Sequence, residues 1–169
     1  LLKHNGPIKN SKKYNKILGN NYFNNKIKFS LSPSLEAQIA SISDDIAYNS
    51  HDLEDGLNSN LFKLKDLEKI PILKNIILKH KKRIKDHSID LIIRQIVREV
   101  INEMVKDIIK TTQQNIKKFK INNLNDVYKS RYPIVAFSPN MKDFDKKIKS
   151  FLRRKMYFHK KVKSKTNSG

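Results

Sequence analysis

The chain has 169 residues, and its 36 Lys and Arg against 16 Asp and Glu give a formal net charge of +20, which favours a polyanionic partner such as nucleic acid or nucleotide phosphates. It contains no cysteine, which excludes disulfide bonds and thiolate metal sites. No apolar run approaches the roughly 20 residues of a membrane-spanning helix, so the sequence predicts no membrane partner.

The N-terminal stretch, residues 1–33, is rich in Asn and Lys, shows no sustained hydrophobic period and is typical of a loop. Ser32-Pro33 then predicts the start of a helix, with Ser32 as N-cap and Pro33 in the first turn. Gly56 offers the helix a stop. The predicted helix therefore runs over about 33–55.

This first helix is amphipathic when its residues are placed at about 100° per residue. Its apolar face consists of Leu35, Ile39, Ile42, Ile46 and Leu53. The opposite face is acidic and aromatic, and consists of Asp44, Tyr48, His51, Asp52 and Asp55. Small residues neighbour these positions on the same face, so other elements could approach it closely; they are Ala37, Ala40, Ser41 and Ala47.

The rest of the sequence predicts further helices. These are short helices over 61–70 and 123–131, a helix over 71–83, a long helix capped by Ser88, and a last helix that starts at Pro139. The long helix has an unbroken Ile/Val stripe at i, i+3 and i+4 spacing, which predicts burial of one side. The sequence shows no persuasive strand pattern, so the predicted fold class is all-α.

Three residues on the acidic face are candidates for a binding site. Asp44, Tyr48 and Asp52 stand at i, i+4 and i+8, about 6 Å apart per step along one side of a helix. A carboxylate can bind a divalent metal, an aromatic ring can cover a sugar or base, and a second carboxylate can accept from a hydroxyl. The alternative is a solvated acidic helix face that is stabilised only by the helix dipole.

Four segments of the sequence carry a family resemblance, in collinear order. These are KHNGP at residues 3–7, LEAQIASISDDIAYNSHDLEDGL at 35–57, LFKLKDLEKIPIL at 61–73, and PIVAFSPNMKDFDKKIKSFLRRKMYFH at 133–159. They resemble the deoxyguanosinetriphosphate triphosphohydrolase-like proteins, which are HD-domain metal phosphohydrolases. The likeness spans nearly the whole chain.

The resemblance implies a role for each candidate residue. The family coordinates its metal with a histidine, a His-Asp pair and a distant aspartate, and Asp44 is similar to that last aspartate. Tyr48 is similar to the tyrosine that lies against the deoxyribose, and Asp52 to the aspartate that contacts the sugar 3′-hydroxyl. Lys3 resembles a phosphate-contacting lysine.

The sequence His51-Asp52 spells the letters of the HD pair, but its neighbours are those of the last-aspartate helix. The resemblance therefore implies that the metal-binding His and His-Asp pair, and the catalytic residues, lie upstream of this chain. The chain begins with Leu rather than Met. We expect it to be the C-terminal half of such an enzyme, inactive without an N-terminal segment or partner chain.

The same resemblance predicts the organisation and surroundings of the chain. Residues 1–60 would be part of an HD-type catalytic domain, 61–159 a phosphohydrolase-associated helical region, and 160–169 a basic flexible tail. The implied substrate is a deoxynucleoside triphosphate, with Mg²⁺, Mn²⁺ or a similar divalent metal as cofactor. We also expect a homo-oligomer when complete, and a cytoplasmic location.

Two other interpretations stay open. The chain could be a basic helical module that binds nucleic acid without chemistry, for which strong salt dependence is the signature. It could also be the inactive remnant of a split gene. Lys, Asn and Ile are abundant throughout, so a general compositional bias would also explain much of the positive charge.

Overall fold

The computed structural model describes residues 31–81 and 88–157. Its helices are α1 (Leu35–Asn58), α2 (Leu64–Leu67), α3 (Pro71–Lys81), α4 (Ile89–Lys118), α5 (Leu124–Lys129) and α6 (Pro139–Leu152), which continues into a π-helical turn over Arg153–Tyr157. The described residues contain no strand, and the all-α prediction is confirmed. Within these ranges, no helix is long and apolar enough to cross a membrane.

The predictions for Lys3, for the loop before Leu31 and for the basic tail concern residues outside the described ranges. The proposed boundaries at residues 60 and 159 stay predictions. The described residues form two compact units: the first contains those up to Asp44 together with Ile109–Ala136, and the second contains those of Asp45–Ile108 and those from Phe137 onward.

The second unit contains a continuous hydrophobic core. The stripe of α4 is its largest contribution, with six buried residues: Ile92, Ile93, Ile96, Val97, Val100 and Met104. Against them pack buried residues of α1, α3 and α6, including Leu53, Leu73, Ile77, Ile148 and Leu152. The sequence pattern thus identified the side of α4 that becomes core.

The buried strip of α4 is narrower than the sequence stripe. Ile89 and Ile109, at its two ends, are about half exposed, and Val105 is 40% exposed. In α1, Ile39 lies on the predicted apolar face but is 50% exposed. Hydrophobic periodicity predicts which side of a helix is apolar. How much of that side is buried depends on how far the neighbouring elements extend along the helix.

Gly56 does not end α1, since the helix runs on to Asn58. The turn is instead made at Asn60, whose φ is 56°, in the left-handed region that asparagine tolerates. The glycine is required by packing: a Cβ there would lie 2.2 Å from Cε1 of Phe62. The Phe62 ring is buried and meets Phe151 edge-on, with centroids 4.9 Å apart. Gly56 therefore allows the chain after α1 to fold back onto it.

The start of α1 also differs from the sequence prediction. Ser34, rather than Ser32, caps the helix: its Oγ accepts from the Ala37 backbone N–H at 3.3 Å. Ser32 is buried, and its Oγ donates to the Ser130 carbonyl at 2.7 Å. Pro33 accordingly precedes the helix. Both Ser32 and Ser34 are residue types that cap helices well. Because the Ser32 hydroxyl is bound to Ser130, Ser34 is the one that caps α1.

The cap predicted at Ser88 agrees with the structure, and two further helices begin at capping side chains. Ser88 Oγ accepts from the Leu91 N–H at 3.4 Å at the start of α4. Asn123 accepts from two backbone N–H groups at the start of α5. Ser138 caps α6, and its own N–H and Oγ–H donate to the Asp107 carboxylate at 2.8 and 2.6 Å. In the second unit, Asp107 thereby ties α4 to the first turn of α6.

Candidate functional site

A surface cleft of about 500 Å³ lies in the second unit, between α1 and the end of α6. Its walls consist of Asp45, Tyr48, Asn49, Asp52, Lys149, Leu152 and Arg153. The α1 residues stand at i, i+3, i+4 and i+7, so one side of that helix faces the cleft. The basic residues come from α6 and the π-helical turn. The cleft is therefore acidic and aromatic on one wall and basic on the other.

Lys149 joins the two walls. Its Nζ donates to the Asp45 carboxylate at 3.1 Å and to the Asp145 carboxylate at 2.9 Å. Burial acts to lower the pKa of the Lys149 ammonium, but the hydrogen bonds to Asp145 and Asp45 outweigh it and raise the pKa above its ordinary value. The ammonium therefore stays charged at neutral pH, and the side chain is fixed by two carboxylates.

Beneath this ion pair lies a buried polar contact. The Asn49 side-chain amide donates to the Asp145 carboxylate at 3.1 Å, and both residues are buried. A buried carboxylate is tolerated when its charge and its lone pairs find partners, and Asp145 has both in Asn49 and Lys149. Sequence reasoning missed these three residues, because the two elements are 96 positions apart in the chain. The signal that could have pointed to them is a lone acid on the apolar side of α6, between Phe144 and Ile148.

The cleft brings two of the candidate site residues together. Tyr48 and Asp52 both line it, and the Tyr48 side chain is 58% exposed. Asp44 is exposed on the same helix, and it is its neighbour Asp45 that lines the cleft. Since Asp45 is already paired with Lys149, Asp44 has the carboxylate that is more readily available to a ligand. The roles of Asp44, Tyr48 and Asp52 stay predictions.

The described ranges contain no group of three or more His, Asp or Glu side chains that could hold a metal ion. His51 is exposed and adjacent in sequence to Asp52, so the two side chains leave the helix about 100° apart. Catalytic metal sites typically take three protein ligands. The described residues thus do not fit a complete divalent metal site, and Asp44 can supply at most one ligand to a metal held elsewhere.

The chemistry of the cleft suits a ligand with a flat polar part and a negatively charged part. The exposed Tyr48 ring offers a face for a sugar or base, and the Asp52 carboxylate can only accept hydrogen bonds when ionised. Arg153 lies at the other edge and is exposed. A guanidinium is suited to carboxylate or phosphate groups.

The sequence is similar to known proteins along nearly its entire length. No family model matches the chain. Three curated proteins named "Deoxyguanosinetriphosphate triphosphohydrolase-like protein" are similar to it. The protein of Pelagibacter ubique (strain HTCC1062) is 48% identical over 169 residues, that of Bartonella tribocorum 35% over 176, and that of Neorickettsia sennetsu 34% over 167.

These matches cover 100%, 99% and 96% of this chain but 46%, 43% and 42% of the relatives. The chain thus spans less than half the length of the curated relatives that it matches. Identity of 48% over 169 residues is far beyond what a lysine-rich composition alone produces. Along its whole length, this chain is similar to the deoxyguanosinetriphosphate triphosphohydrolase-like proteins.

Proposed function

We propose that this chain forms part of the active site of a metal-dependent deoxynucleoside triphosphate triphosphohydrolase, which releases the deoxynucleoside and triphosphate. The observation that carries the proposal is the 48% identity to the Pelagibacter ubique protein along the whole chain. The cleft supports it, because the aromatic and acidic residues of α1 that the resemblance assigns to the sugar lie together in its wall.

In this proposal each residue has one task. The Tyr48 ring lies against the deoxyribose, and the Asp52 carboxylate accepts a hydrogen bond from the 3′-hydroxyl. Lys149 and its two carboxylates fix α1 against α6, so that both groups point into the cleft. These contacts bind and orient the sugar, and the charge on Arg153 favours the anionic end of the nucleotide.

The metal would supply an activated water and neutralise phosphate charge. Asp44 is the residue of this chain proposed to contribute a ligand to it. The His and His-Asp ligands would come from a segment that corresponds to the share of the relatives not matched here. A complete enzyme would therefore combine this chain with such a segment, in one polypeptide or as two.

A chimera tests the proposal directly. This chain replaces the matching 46% of the Pelagibacter ubique protein, and triphosphate release from each deoxynucleoside triphosphate is measured with Mg²⁺ and with Mn²⁺. The unaltered Pelagibacter protein serves as the positive control. We expect metal-dependent release by the chimera. A folded chimera without activity, beside an active control, would overturn the proposal.

A further inference from the structure

Two aromatic rings stack at the surface of the first unit. Phe119 directly follows α4, and Tyr132 lies in the segment after α5. The ring centroids are 5.8 Å apart, and the ring planes differ by 20°. Tyr132 is 63% exposed, so the face of its ring that is turned away from Phe119 is open to solvent. That face is available to a second flat group.

The position of Tyr132 is fixed by the backbone around it. Ser130 Oγ donates to the Tyr132 carbonyl at 2.7 Å and accepts from the Tyr132 N–H at 3.3 Å. The Ser130 carbonyl in turn accepts from the buried Ser32 hydroxyl. Pro133 follows, and a proline restricts the residue before it to extended conformations. The backbone that carries the ring is therefore ordered before a ligand binds, which lowers the entropy cost of binding.

Positive charge is concentrated on both sides of the aromatic pair. Residues 117–132 contain five cations against one carboxylate. The cations are all exposed, and they are Lys117, Lys118, Lys120, Lys129 and Arg131. The stack of Phe119 on Tyr132 brings the basic run 117–120 beside the basic run 129–131.

These cations have no acidic partner nearby. Among residues 31–81 and 88–157, none of the five forms an ion pair. Lys118 Nζ lies 5.7 Å from the centroid of the Phe119 ring. The one carboxylate, that of Asp126, accepts from the backbone N–H groups of Asn122 and Asn123 at 2.9 and 3.2 Å. The positive charge beside the rings is therefore available to an anionic ligand.

The helix ends account for only part of this charge. Lys117 and Lys118 lie in the last turn of α4 and Lys129 in that of α5, where the helix dipole favours a cation. Lys120 and Arg131 lie beyond the helices. Lys120 has a φ of 52°, in the left-handed region where glycine is the usual residue after a helix. A side chain is less favourable than glycine there, so the turn alone does not explain the lysine.

We propose that this surface binds single-stranded nucleic acid. An unpaired base stacks on the open face of Tyr132, and the neighbouring phosphates contact the basic runs 117–120 and 129–131. The exposed ring favours a single strand over a duplex, because the bases of a duplex are already stacked on each other. None of these residues belongs to the proposed active site, so the proposal does not depend on the proposed function.

Fluorescence anisotropy of the full chain tests the proposal. The ligands are labelled oligothymidylate and oligouridylate of about 12 nucleotides, within the range of single-strand site sizes. A duplex of the same length and an abasic strand, which has the phosphates but no bases, serve as controls. We expect saturable binding of a single strand, and binding of the abasic strand that is weaker by at least about fivefold, because base stacking is lost. The two single strands distinguish DNA from RNA.

Variants of Tyr132 test the stacking. Tyr132→Ala should weaken single-strand binding by at least about fivefold at every salt concentration. It should leave duplex binding unchanged, because a duplex has no unpaired base to lay on the ring. Tyr132→Phe retains the ring and should bind as the wild type does.

A variant of Lys120 tests the charge. Lys120→Gly removes a cation at a backbone position that suits glycine, so it should not lower the melting temperature. It should reduce the slope of the logarithm of the binding constant against the logarithm of the salt concentration by about 0.7. Lys74→Ala, at an exposed lysine of α3, is the matched control and should leave the slope unchanged.

Three results would overturn the proposal. The first is equal affinity for the abasic and the normal strand, and the second is unchanged single-strand affinity in Tyr132→Ala. The third is binding of phosphatidylserine vesicles without saturable binding of either oligonucleotide, which would assign the surface to a membrane instead. Equal slopes for Lys120→Gly and Lys74→Ala would contradict the placement of the phosphates beside the end of α4.

Discussion

Asp44 and Asp45 are adjacent carboxylates that the structure treats differently. Asp45 lines the cleft and is tied to Lys149, whereas Asp44 is exposed and is proposed to reach a metal. A shift of one residue along α1 would exchange these roles. The pair therefore provides a sharp test of the register of the proposed site.

In the chimera, Asp44→Ala should remove metal-dependent turnover, because a ligand is lost. Asp45→Ala is the matched control and should change kcat by less than about tenfold, since an exposed ion pair contributes about 1 kcal/mol or less. Steady-state kinetics of triphosphate release give both values. Activity that survives Asp44→Ala but not Asp45→Ala would show that the register is wrong by one.

Tyr48 and Asp52 should have separable effects in the same assay. Tyr48→Ala should mainly raise KM, because the ring positions the sugar. Asp52→Ala should reduce discrimination between substrates with and without a 3′-hydroxyl, since the contact exists only with that group. Unchanged discrimination in the Asp52 variant would contradict the proposed contact between Asp52 and the 3′-hydroxyl.

Glu99 couples stability to pH. Its pKa in the folded chain lies below the ordinary 4.5, so its contribution to stability is present at neutral pH and is lost as the pH falls through 4.5 toward the folded value. Glu99→Gln removes the carboxylate that pairs with Lys79 and should therefore flatten the decline of the free energy of unfolding as the pH falls below 4.5. Urea titrations at several pH values measure this, with Glu103→Gln as control. Parallel pH profiles for wild type and Glu99→Gln would contradict it.

At the scale of the helices, much of the architecture follows from the sequence and the rest follows from contacts between distant segments. The stripe of α4, the caps at Ser88 and Asn123, and the sides of α1 that carry Tyr48 and Leu53 are local properties of the pattern. The partners of Ser32 and Asp45 are not, because they lie about 100 positions away. The need for glycine at position 56 also comes from tertiary packing, because the Phe62 ring leaves no room for a Cβ there. It does not come from a helix stop.

The α4 stripe makes a prediction with a matched pair of valines. Val100 is 2% exposed and Val105 40% exposed on the same helix. Val100→Asp should destabilise the fold by about 3 kcal/mol or more, because an unpaired carboxylate is buried. Val105→Asp should cost about 1 kcal/mol or less. Chemical unfolding of both variants checks this, and equal losses would mean that α4 is not buried along the predicted side.

For the whole molecule, we expect that the chain alone does not hydrolyse deoxynucleoside triphosphates, because residues 31–81 and 88–157 offer no group of three metal ligands. The chain, purified free of host hydrolases, is assayed for triphosphate release with Mg²⁺ or Mn²⁺. Turnover of about 1 per second or more, within the usual range of enzymes, would show that its own residues complete the active site.

Gln38 in the first unit has a consequence for the dynamics of the backbone. Its Oε1 accepts from the N–H groups of Ile134 and Val135 at 2.9 and 3.1 Å, and its Nε2 donates to the Pro33 carbonyl at 2.9 Å. Ile134 and Val135 belong to no helix, yet both are buried. Their amide protons should therefore exchange with deuterium as slowly as those of a helix. Gln38→Leu should speed exchange at these two amides while the amides in the middle of α4 stay protected. A single side chain would then protect the amides of an irregular segment as well as a helix protects its own.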